Sequence, residues 1–145
     1  MYYSELVKKA CNIMFDAHKE DMDKGGYPYV FHPFYLATQM DDEMTTCVAL
    51  LHDVIEDHWD KYSYEDLKNE GFPEEVLEAV KLLTHDDETP YMDYVNRIGH
   101  NPIARKVKLA DLKHNMDVRR NAGKKHWKYE TYQKAVELLE GFEHR

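Results

Sequence analysis

The sequence predicts an all-α protein, and three observations lead to this prediction. Apolar residues recur at intervals of three and four along most of the chain, which is the spacing of one face of a helix. Glycine and proline are few, at 6 and 5 of the 145 residues, and most of them fall between these periodic segments or at their starts. No segment shows the sustained two-residue alternation of a half-buried strand. We therefore expect a compact helical bundle of about seven or eight helices.

The first half of the chain contains three predicted helices. The first runs from about Tyr3 to Glu20 and ends before a turn at Asp23–Gly26. The second begins near His32, where the following proline suits the first turn of a helix. The third covers about Glu43 to Asp57. Each of them carries apolar residues that a core can bury.

The second half of the chain contains five predicted helices, most of them with a recognisable start. Ser63 is a capping residue for a short fourth helix, and Pro73 opens a fifth. Thr89–Pro90 opens a sixth. Asn101–Pro102 is an N-cap followed by a proline and gives the clearest start of all. The last helix spans about Lys125 to Glu143.

The charge of the chain restricts its partners. The sequence has 28 acidic against 19 basic residues, which gives a net charge of −9. This balance repels a nucleic-acid backbone, so we expect no nucleic-acid polymer as a partner. A small phosphorylated substrate needs a local metal ion, or clustered lysines and arginines, to offset the overall field. The sequence leaves the oligomeric state open.

The length of the chain suits a single domain, which we expect to cover residues 1–145. No run approaches the roughly 20 apolar residues that span a bilayer. The residues from Met1 to Lys9 lack the order of a signal peptide, so we expect no membrane partner and a cytoplasmic location. Cys11 and Cys47 have no metal-binding spacing and are expected to be buried. Three aromatic residues are also expected in the core: Tyr91, Tyr94 and Trp127.

An adjacent histidine and aspartate interrupt an apolar part of the third predicted helix. His52 and Asp53 lie inside the segment Ala49–Ile55. Burial of such a pair is costly without a partner, and a cation removes the cost. On a continuous helix Glu56 lies one turn after His52, and Asp57 one turn after Asp53, so the four groups can share one site. The alternative is an exposed polar stripe, against which the apolar neighbours weigh.

Two other segments contain candidate ligands. In the predicted helix that starts at residue 101, Asp111 lies one turn before Asn115, with Lys108 on nearly the same face. The alternative is an amphipathic surface helix whose aspartate and lysine are solvated. His32 lies between bulky apolar residues at the start of a helix. A lone histidine in such a place is more often a satisfied core residue than a ligand.

Taken together and in this order, the three segments resemble the HD superfamily, and specifically the hydrolase domain of bifunctional RelA/SpoT proteins and the small alarmone hydrolases. The resemblance covers most of the chain. Gly26–Pro33 is similar to the family's first metal-histidine motif, and Leu50–Asp57 to its HD and ED motifs. Val107–Asp111, followed by His114–Met116, is similar to its last motif. The HD-type helical bundle is therefore the expected fold.

The resemblance implies a metal site. In this family pattern one divalent ion, usually Mn²⁺, is bound by His32, His52, Asp53 and Asp111. Two imidazoles and two carboxylates leave positions open on an octahedral ion for water and for a phosphate oxygen. Such an ion lowers the pKa of its bound water and neutralises charge that develops on phosphorus.

The resemblance also implies roles for residues beside the metal. Glu56 and Asp57 lie next to the attacking water, where they orient or deprotonate it or protonate the leaving oxygen. The alternative for Glu56 is a partner that fixes His32 or His52. Asn115 helps to position the nucleotide or substrate.

Two departures from the family pattern concern substrate binding. Asp23-Lys24 stands in the region where the family commonly has an arginine that packs on guanine, and Leu112-Lys113 stands where the bifunctional proteins usually have Arg-Leu. Lys24 and Lys108 are the candidate substrate-binding cations. The alternative for each of them is an ordinary solvated charge at the surface, without a role in substrate binding. The same alternative applies to three other basic residues: Lys113, Arg97 and Arg105.

We therefore expect a metal-dependent phosphohydrolase without a synthetase domain. The substrate that the resemblance implies is a guanosine alarmone (ppGpp), hydrolysed at its 3′-pyrophosphate. Three alternatives stay open: a nucleotidase or nucleotide pyrophosphohydrolase with another substrate, an HD module that binds a nucleotide without turnover, and a purely structural helical protein that binds no metal.

Overall fold

The computed structural model describes residues 1–145 and contains nine α-helices, one 3₁₀ helix and no β-strand. The α-helices are α1 Glu5–His18, α2 Phe31–Thr38, α3 Glu43–Leu51, α4 Val54–Asp57, α5 Tyr64–Asn69, α6 Glu74–Leu83, α7 Tyr91–Gly99, α8 Pro102–Asn115 and α9 Tyr129–Glu143. The 3₁₀ helix, Val118–Asn121, connects α8 to α9. The all-α prediction is confirmed.

The predicted helix starts depend on side chains that bond to free backbone N–H groups. The Ser63 hydroxyl accepts from the Asp66 backbone N–H at 3.1 Å, and the Asp66 carboxylate accepts from the Ser63 N–H at 2.9 Å. This reciprocal pair is a capping box. The Asn101 side chain accepts from the Ala104 N–H at 3.0 Å, and Pro102 occupies the first turn of α8. Two of the predicted starts thus have the expected chemistry.

The prediction of one helix from Glu43 to Asp57 was wrong. Helix α3 ends at Leu51 and α4 begins at Val54, because Asp53 leaves the helical conformation at φ −110° and ψ 0°. The His52 ring bonds through Nδ1 to the Ala49 carbonyl at 2.7 Å. A continuing helix would offer that carbonyl to the Asp53 backbone N–H, so the side chain competes with the helix for its acceptor.

The core is one cluster of 32 buried hydrophobic residues, and α3 lies at its centre. Helix α3 packs against α1, α2, α6 and α8. Every residue from Thr45 to Leu51 is buried, which is possible because none of them is charged. Cys47 is buried among them as predicted, whereas Cys11 is partly exposed.

The packing brings three helix segments together at one place. Helix α2 contacts α3 and α8, and α8 also contacts α3. The start of α2, the end of α3 and the middle of α8 therefore meet, and these are the segments in which the sequence placed its candidate ligands. None of the helices is both long and apolar enough to cross a membrane.

Leu139→Ala tests how much α9 contributes to the bundle. Leu139 is fully buried, and α9 packs against α7 and α8. Because the truncation removes apolar contacts and leaves a cavity, we expect the free energy of unfolding to fall by about 2–5 kcal/mol. Urea unfolding measures the change. Glu140→Ala is the control, since Glu140 is exposed on the same helix, and an equal loss in both variants would contradict the assigned packing.

Candidate metal centre

His52 is fixed in one tautomer by the break between α3 and α4. Its Nδ1 lies 2.7 Å from the carbonyl oxygen of Ala49, which can only accept a hydrogen bond. Nδ1 therefore carries the ring proton, and Nε2 presents a lone pair. This is the arrangement by which a second partner orients a metal-binding imidazole.

The lone pair of His52 faces carboxylate oxygens. Nε2 is buried without a hydrogen-bond partner, although it lies 3.0 Å from Oδ2 of Asp53 and 3.6 Å from Oδ1 of Asp111. A lone pair and a carboxylate repel each other unless a proton or a metal ion lies between them. Burial disfavours the imidazolium, yet the two carboxylates hold the pKa of His52 well above its usual value. The cluster thus attracts a cation to this nitrogen.

His32 and Asp111 complete the cluster from α2 and α8. Nε2 of His32 lies 2.8 Å from Oδ1 of Asp111, and both side chains are buried. The other carboxylate oxygen, Oδ2, accepts from the Lys108 ammonium at 2.9 Å, and Oδ1 also accepts from Asn115 at 3.1 Å. Burial by itself would raise the pKa of Asp111, but Lys108 and the two histidines hold it well below its usual value. Asp111 is therefore a carboxylate.

The structure brings together the four residues that the sequence singled out as metal ligands. The ligand atoms of His32, His52 and Asp53 lie within 4.8 Å of one another, and Asp111 bonds to the first of these residues. Two imidazole nitrogens and two carboxylates form a donor set that suits a first-row divalent ion. The buried and unpaired Nε2 of His52 fits such an ion, so the cluster is able to bind a divalent metal.

His114 is a contact of the cluster to which the sequence analysis gave no role. Its Nδ1 lies 2.8 Å from Nδ1 of His32, and its ring stacks on Tyr35 at 4.1 Å. Burial, together with His32 and Arg120, lowers the pKa of His114 to about 3. The neutral ring can thus share one proton with His32 and orient it. The motif that contains His114 was recognised, but only the folded structure shows this contact.

Glu56 and Asp57 do not share a continuous helix face with His52 and Asp53, because α4 is separate from α3. Oε1 of Glu56 accepts from the backbone N–H of His85 at 2.6 Å. Desolvation and the Asp53 charge raise the pKa of Glu56. Desolvation, Asp53 and Glu56 likewise raise the pKa of Asp57 to about 7. Both side chains can therefore exchange a proton more readily near neutral pH than an ordinary carboxylate.

The cluster opens into an inner cavity of about 150 Å³. Glu56 and Lys108 line this cavity together with three of the four candidate ligands, whereas Asp57 does not. Lys108, whose side chain is 13% exposed, is thus a largely enclosed cation of the site and not a solvated surface charge. Apart from Asn115, the remaining wall comes from residues that the sequence analysis had not placed there: Leu83, His85, Tyr91, Tyr94 and Tyr132.

An outer cavity of about 320 Å³ adjoins the inner one, and the two share Asn115 and Tyr132 in their walls. Lys24 lines the outer cavity, as does Arg120, which the sequence analysis missed. Arg120 donates to the Asn115 side-chain oxygen at 2.7 Å. Asp23-Lys24, which stands where the family commonly has an arginine, therefore borders this cavity. The cavity does contain an arginine, but it is supplied by the 3₁₀ helix.

The structure also tests the aromatic residues that were expected in the core and one of the basic residues that were considered for substrate binding. Tyr94 is buried as predicted, Tyr91 is only partly buried, and both line the inner cavity. Trp127 is 76% exposed and does not belong to the core. The Trp127 ring instead lies beside the Lys24 ammonium, at 5.5 Å. Arg105 lines neither cavity, and its side chain is only 16% exposed because it donates to the Gly99 carbonyl at 2.7 Å and pairs with Glu143, so it is a structural contact and not the solvated charge that was the alternative.

The fold and the site define a helical domain with a buried centre for a divalent metal. The model of the HD domain family matches residues 10–116, and the chain belongs to this family. This membership was predicted from the three motifs, and it is confirmed.

Curated relatives carry the same segment within much longer chains. The guanosine-3′,5′-bis(diphosphate) 3′-pyrophosphohydrolase of Aquifex aeolicus is 34% identical over 86 residues, which are 57% of this chain and 12% of that protein. The bifunctional (p)ppGpp synthase/hydrolase SpoT of Escherichia coli K12 is 32% identical over 127 residues, which are 76% of this chain and 17% of SpoT. The chain therefore spans less than a fifth of these relatives.

A solved structure of similar length has the same fold. It is described as a metazoan ortholog of SpoT that hydrolyses ppGpp and plays a role in starvation responses. The two structures superpose with a TM-score of 0.72 at 25% sequence identity, over 98% of this chain and 89% of the other. The HD-type bundle that the sequence predicted is thus confirmed by an independent comparison of structures.

His114→Ala tests the contact that orients His32. Because His114 is the ring that faces Nδ1 of His32, its removal is expected to weaken Mn²⁺ binding by about 10- to 100-fold. An asparagine side chain at this position would offer an oxygen in place of Nδ1, so His114→Asn should recover part of the affinity. Calorimetric titration of chelator-treated protein measures both.

Lys113→Ala is the matched control for this series, since Lys113 is the exposed neighbour of His114. Equal Mn²⁺ affinity in the wild type and in His114→Ala would show that His32 does not depend on the contact.

Proposed function

We propose that this chain is a metal-dependent phosphohydrolase that removes the 3′-pyrophosphate of a guanosine alarmone such as ppGpp. The observation that carries the proposal is the buried Nε2 of His52, which has no hydrogen-bond partner and faces the carboxylates of Asp53 and Asp111. Glu56 and Lys108 line the same cavity as this nitrogen's ring. A metal-dependent hydrolase needs these three elements: a cation site, a group that transfers protons and a group that neutralises phosphate charge.

The proposed metal ligands are His32, His52, Asp53 and Asp111, and the proposed ion is a single Mn²⁺. Nitrogen and oxygen donors in this combination accept Mn²⁺ as well as other first-row ions. When bound, the ion supplies Lewis acidity toward a phosphate oxygen and lowers the pKa of a coordinated water. The membership of the HD domain family and the closeness of the ligand atoms support the assignment.

Glu56 is the proposed group for proton transfer. The His85 N–H fixes one of its carboxylate oxygens at 2.6 Å, which leaves the other oxygen available. In the reaction a water oxygen forms a bond to phosphorus, the bond from phosphorus to the 3′-oxygen breaks, and the 3′-oxygen gains a proton. Glu56 can take the proton from water and return it to the leaving oxygen. Asp57 does not line the inner cavity, so we assign proton transfer to Glu56 and give Asp57 no direct contact with the substrate.

Lys108, Asn115 and Lys24 are the proposed substrate-binding residues. Lys108 is already paired with Asp111 at 2.9 Å, and its ammonium lies in the inner cavity, where it can offset phosphate charge. Asn115 borders both cavities and is held by Asp111 on one side and Arg120 on the other. The inner cavity, at about 150 Å³, suits phosphate groups, and the outer cavity, at about 320 Å³, suits a nucleoside.

The relatives support the substrate. The proteins of Aquifex aeolicus and Escherichia coli are named for hydrolysis of guanosine 3′,5′-bis(diphosphate). The net charge of −9 favours a small nucleotide over a nucleic-acid polymer. We further propose that residues 1–145 form one domain, that the chain acts in the cytoplasm, and that it has no membrane partner.

Asp53→Ala is expected to abolish hydrolysis and metal retention together, because it removes a ligand and leaves a weaker site. The assay uses chelator-stripped protein that is resupplied with Mn²⁺ and incubated with ppGpp, and it follows pyrophosphate release. Release by the wild type and none by Asp53→Ala supports the proposal.

The same assay separates the alternatives. If metal-loaded wild type releases no pyrophosphate from ppGpp but hydrolyses other phosphorylated nucleotides, the substrate is wrong and the enzyme class stands. Saturable nucleotide binding without any release would indicate a binding module.

Glu56→Gln is expected to keep the metal and to lower turnover by about 100- to 10,000-fold, because glutamine accepts the His85 hydrogen bond but transfers no proton. Metal content and kcat are measured on the same sample. Glu74→Gln serves as the control, since Glu74 is exposed at the start of α6. Normal turnover in Glu56→Gln would remove Glu56 from the mechanism.

A further inference from the structure

A second cluster of metal-ligating side chains lies outside the candidate metal centre. It consists of His18 at the end of α1, Asp21 in the loop that follows and His58 directly after α4. The ligand atoms of the three residues lie within 4.8 Å of one another. Nδ1 of His18 is 3.0 Å, and Nε2 of His58 is 2.6 Å, from the same oxygen of Asp21.

The second cluster resembles the candidate metal centre in the short distances between its imidazole nitrogens and a carboxylate oxygen. In both, imidazole nitrogens approach a carboxylate oxygen at 2.6–3.0 Å. The two clusters differ in the nitrogen that their buried histidine turns to the carboxylate, which is Nε2 in His52 and Nδ1 in His18. While Nδ1 of His18 donates to Asp21, its buried Nε2 has no hydrogen-bond partner. A cation on Nδ1 would move the ring proton to Nε2, and the ring itself packs against Tyr29 with the two centroids 4.8 Å apart.

The surroundings suit an ion. The only ion-pair partners of Asp21 are the two histidines, so no lysine or arginine occupies the carboxylate. His18 is fully buried, whereas the side chains of Asp21 and His58 are 32% and 19% exposed. One side of the cluster is therefore closed, and the other gives a path for entry and positions for water.

We propose that His18, Asp21 and His58 form a second cation site, selective for Zn²⁺ or another first-row transition ion over Mg²⁺ and Ca²⁺. Two imidazoles and one carboxylate are the donor set of such ions, whereas Mg²⁺ and Ca²⁺ prefer oxygen ligands alone.

The second cluster lies next to parts of the chain that form the candidate metal centre. It ties the end of α1 to the end of α4, the helix of Glu56. Tyr29 packs against His18 and donates from its hydroxyl to Asp53, so it connects the two clusters directly. The second ion has a structural role in this arrangement: it holds α4 and Tyr29 in place beside the first centre.

The experiment counts Zn²⁺ per chain. Chelator-treated protein comprising residues 1–145 is dialysed against buffered free Zn²⁺, and bound metal is measured by mass spectrometry. We expect two equivalents for the wild type and one for each of Asp21→Asn, His58→Gln and Asp53→Ala. His144→Gln, which changes an exposed histidine outside both clusters, should keep two. Circular dichroism confirms that each variant is folded, and Asp21→Asn, which preserves side-chain shape, carries the test if His58→Gln does not fold.

The outcomes separate the two sites. A wild type with one equivalent that Asp53→Ala loses and Asp21→Asn keeps would overturn the second site and leave the first intact. Two equivalents retained in both Asp21→Asn and His58→Gln would overturn it as well. One equivalent lost only in the Asp21 and His58 variants would support the second site and contradict the first.

Discussion

The structure depends on the placement of two carboxylates and two imidazoles inside an apolar bundle. Asp111 is buried together with His32 and His52, and Asp53 closes the group. Burial of an unpaired charge in such a place costs about several kcal/mol of folding free energy, because the ion loses its hydration. Lys108 and Asn115 satisfy part of Asp111. No protein group supplies a cation at Nε2 of His52, which lies beside two carboxylates. A bound cation would offset their charge, and this electrostatic requirement accounts for the convergence of these polar groups.

Two helices position the ligands of this centre: a break separates α3 from α4, whereas α8 is continuous. The break after Leu51 lets the His52 ring take the Ala49 carbonyl, which fixes its tautomer. The residues of α3 that precede the break are all buried in the core. Helix α8 stays regular through Asn115, so Lys108 and Asp111 keep their spacing of about one turn. Rigid packing around the centre is what allows its side chains to be preorganised.

Much of the fold and of the first site was predictable from local pattern. Helical periodicity and the caps at Ser63 and Asn101 act over a few residues, so the sequence alone reveals them. The four candidate ligands could be named because the three motifs in this order resemble the HD superfamily, whereas the local pattern alone left other interpretations open for His32 and Asp111. The break at His52 could not be predicted, since it depends on a bond between a side chain and a carbonyl that forms only in the folded chain.

The walls of the cavities were the least predictable part. Arg120 comes from the 3₁₀ helix, and His85 and Tyr132 come from two other parts of the chain. Isolated residues of this kind belong to no recognisable sequence motif. Only packing between distant parts of the chain brings them to the site. Trp127 was wrongly expected in the core because an aromatic residue near a helix start has the same local pattern whether its ring is buried or 76% exposed.

The central claim is that one divalent ion lies among His32, His52, Asp53 and Asp111. The most direct measurement is an anomalous difference map from crystals of the protein grown with Mn²⁺, collected near the manganese absorption edge. We predict a peak in contact with all four side chains. Manganese bound elsewhere, with His52 and Asp111 bonded only to protein atoms, would contradict the account.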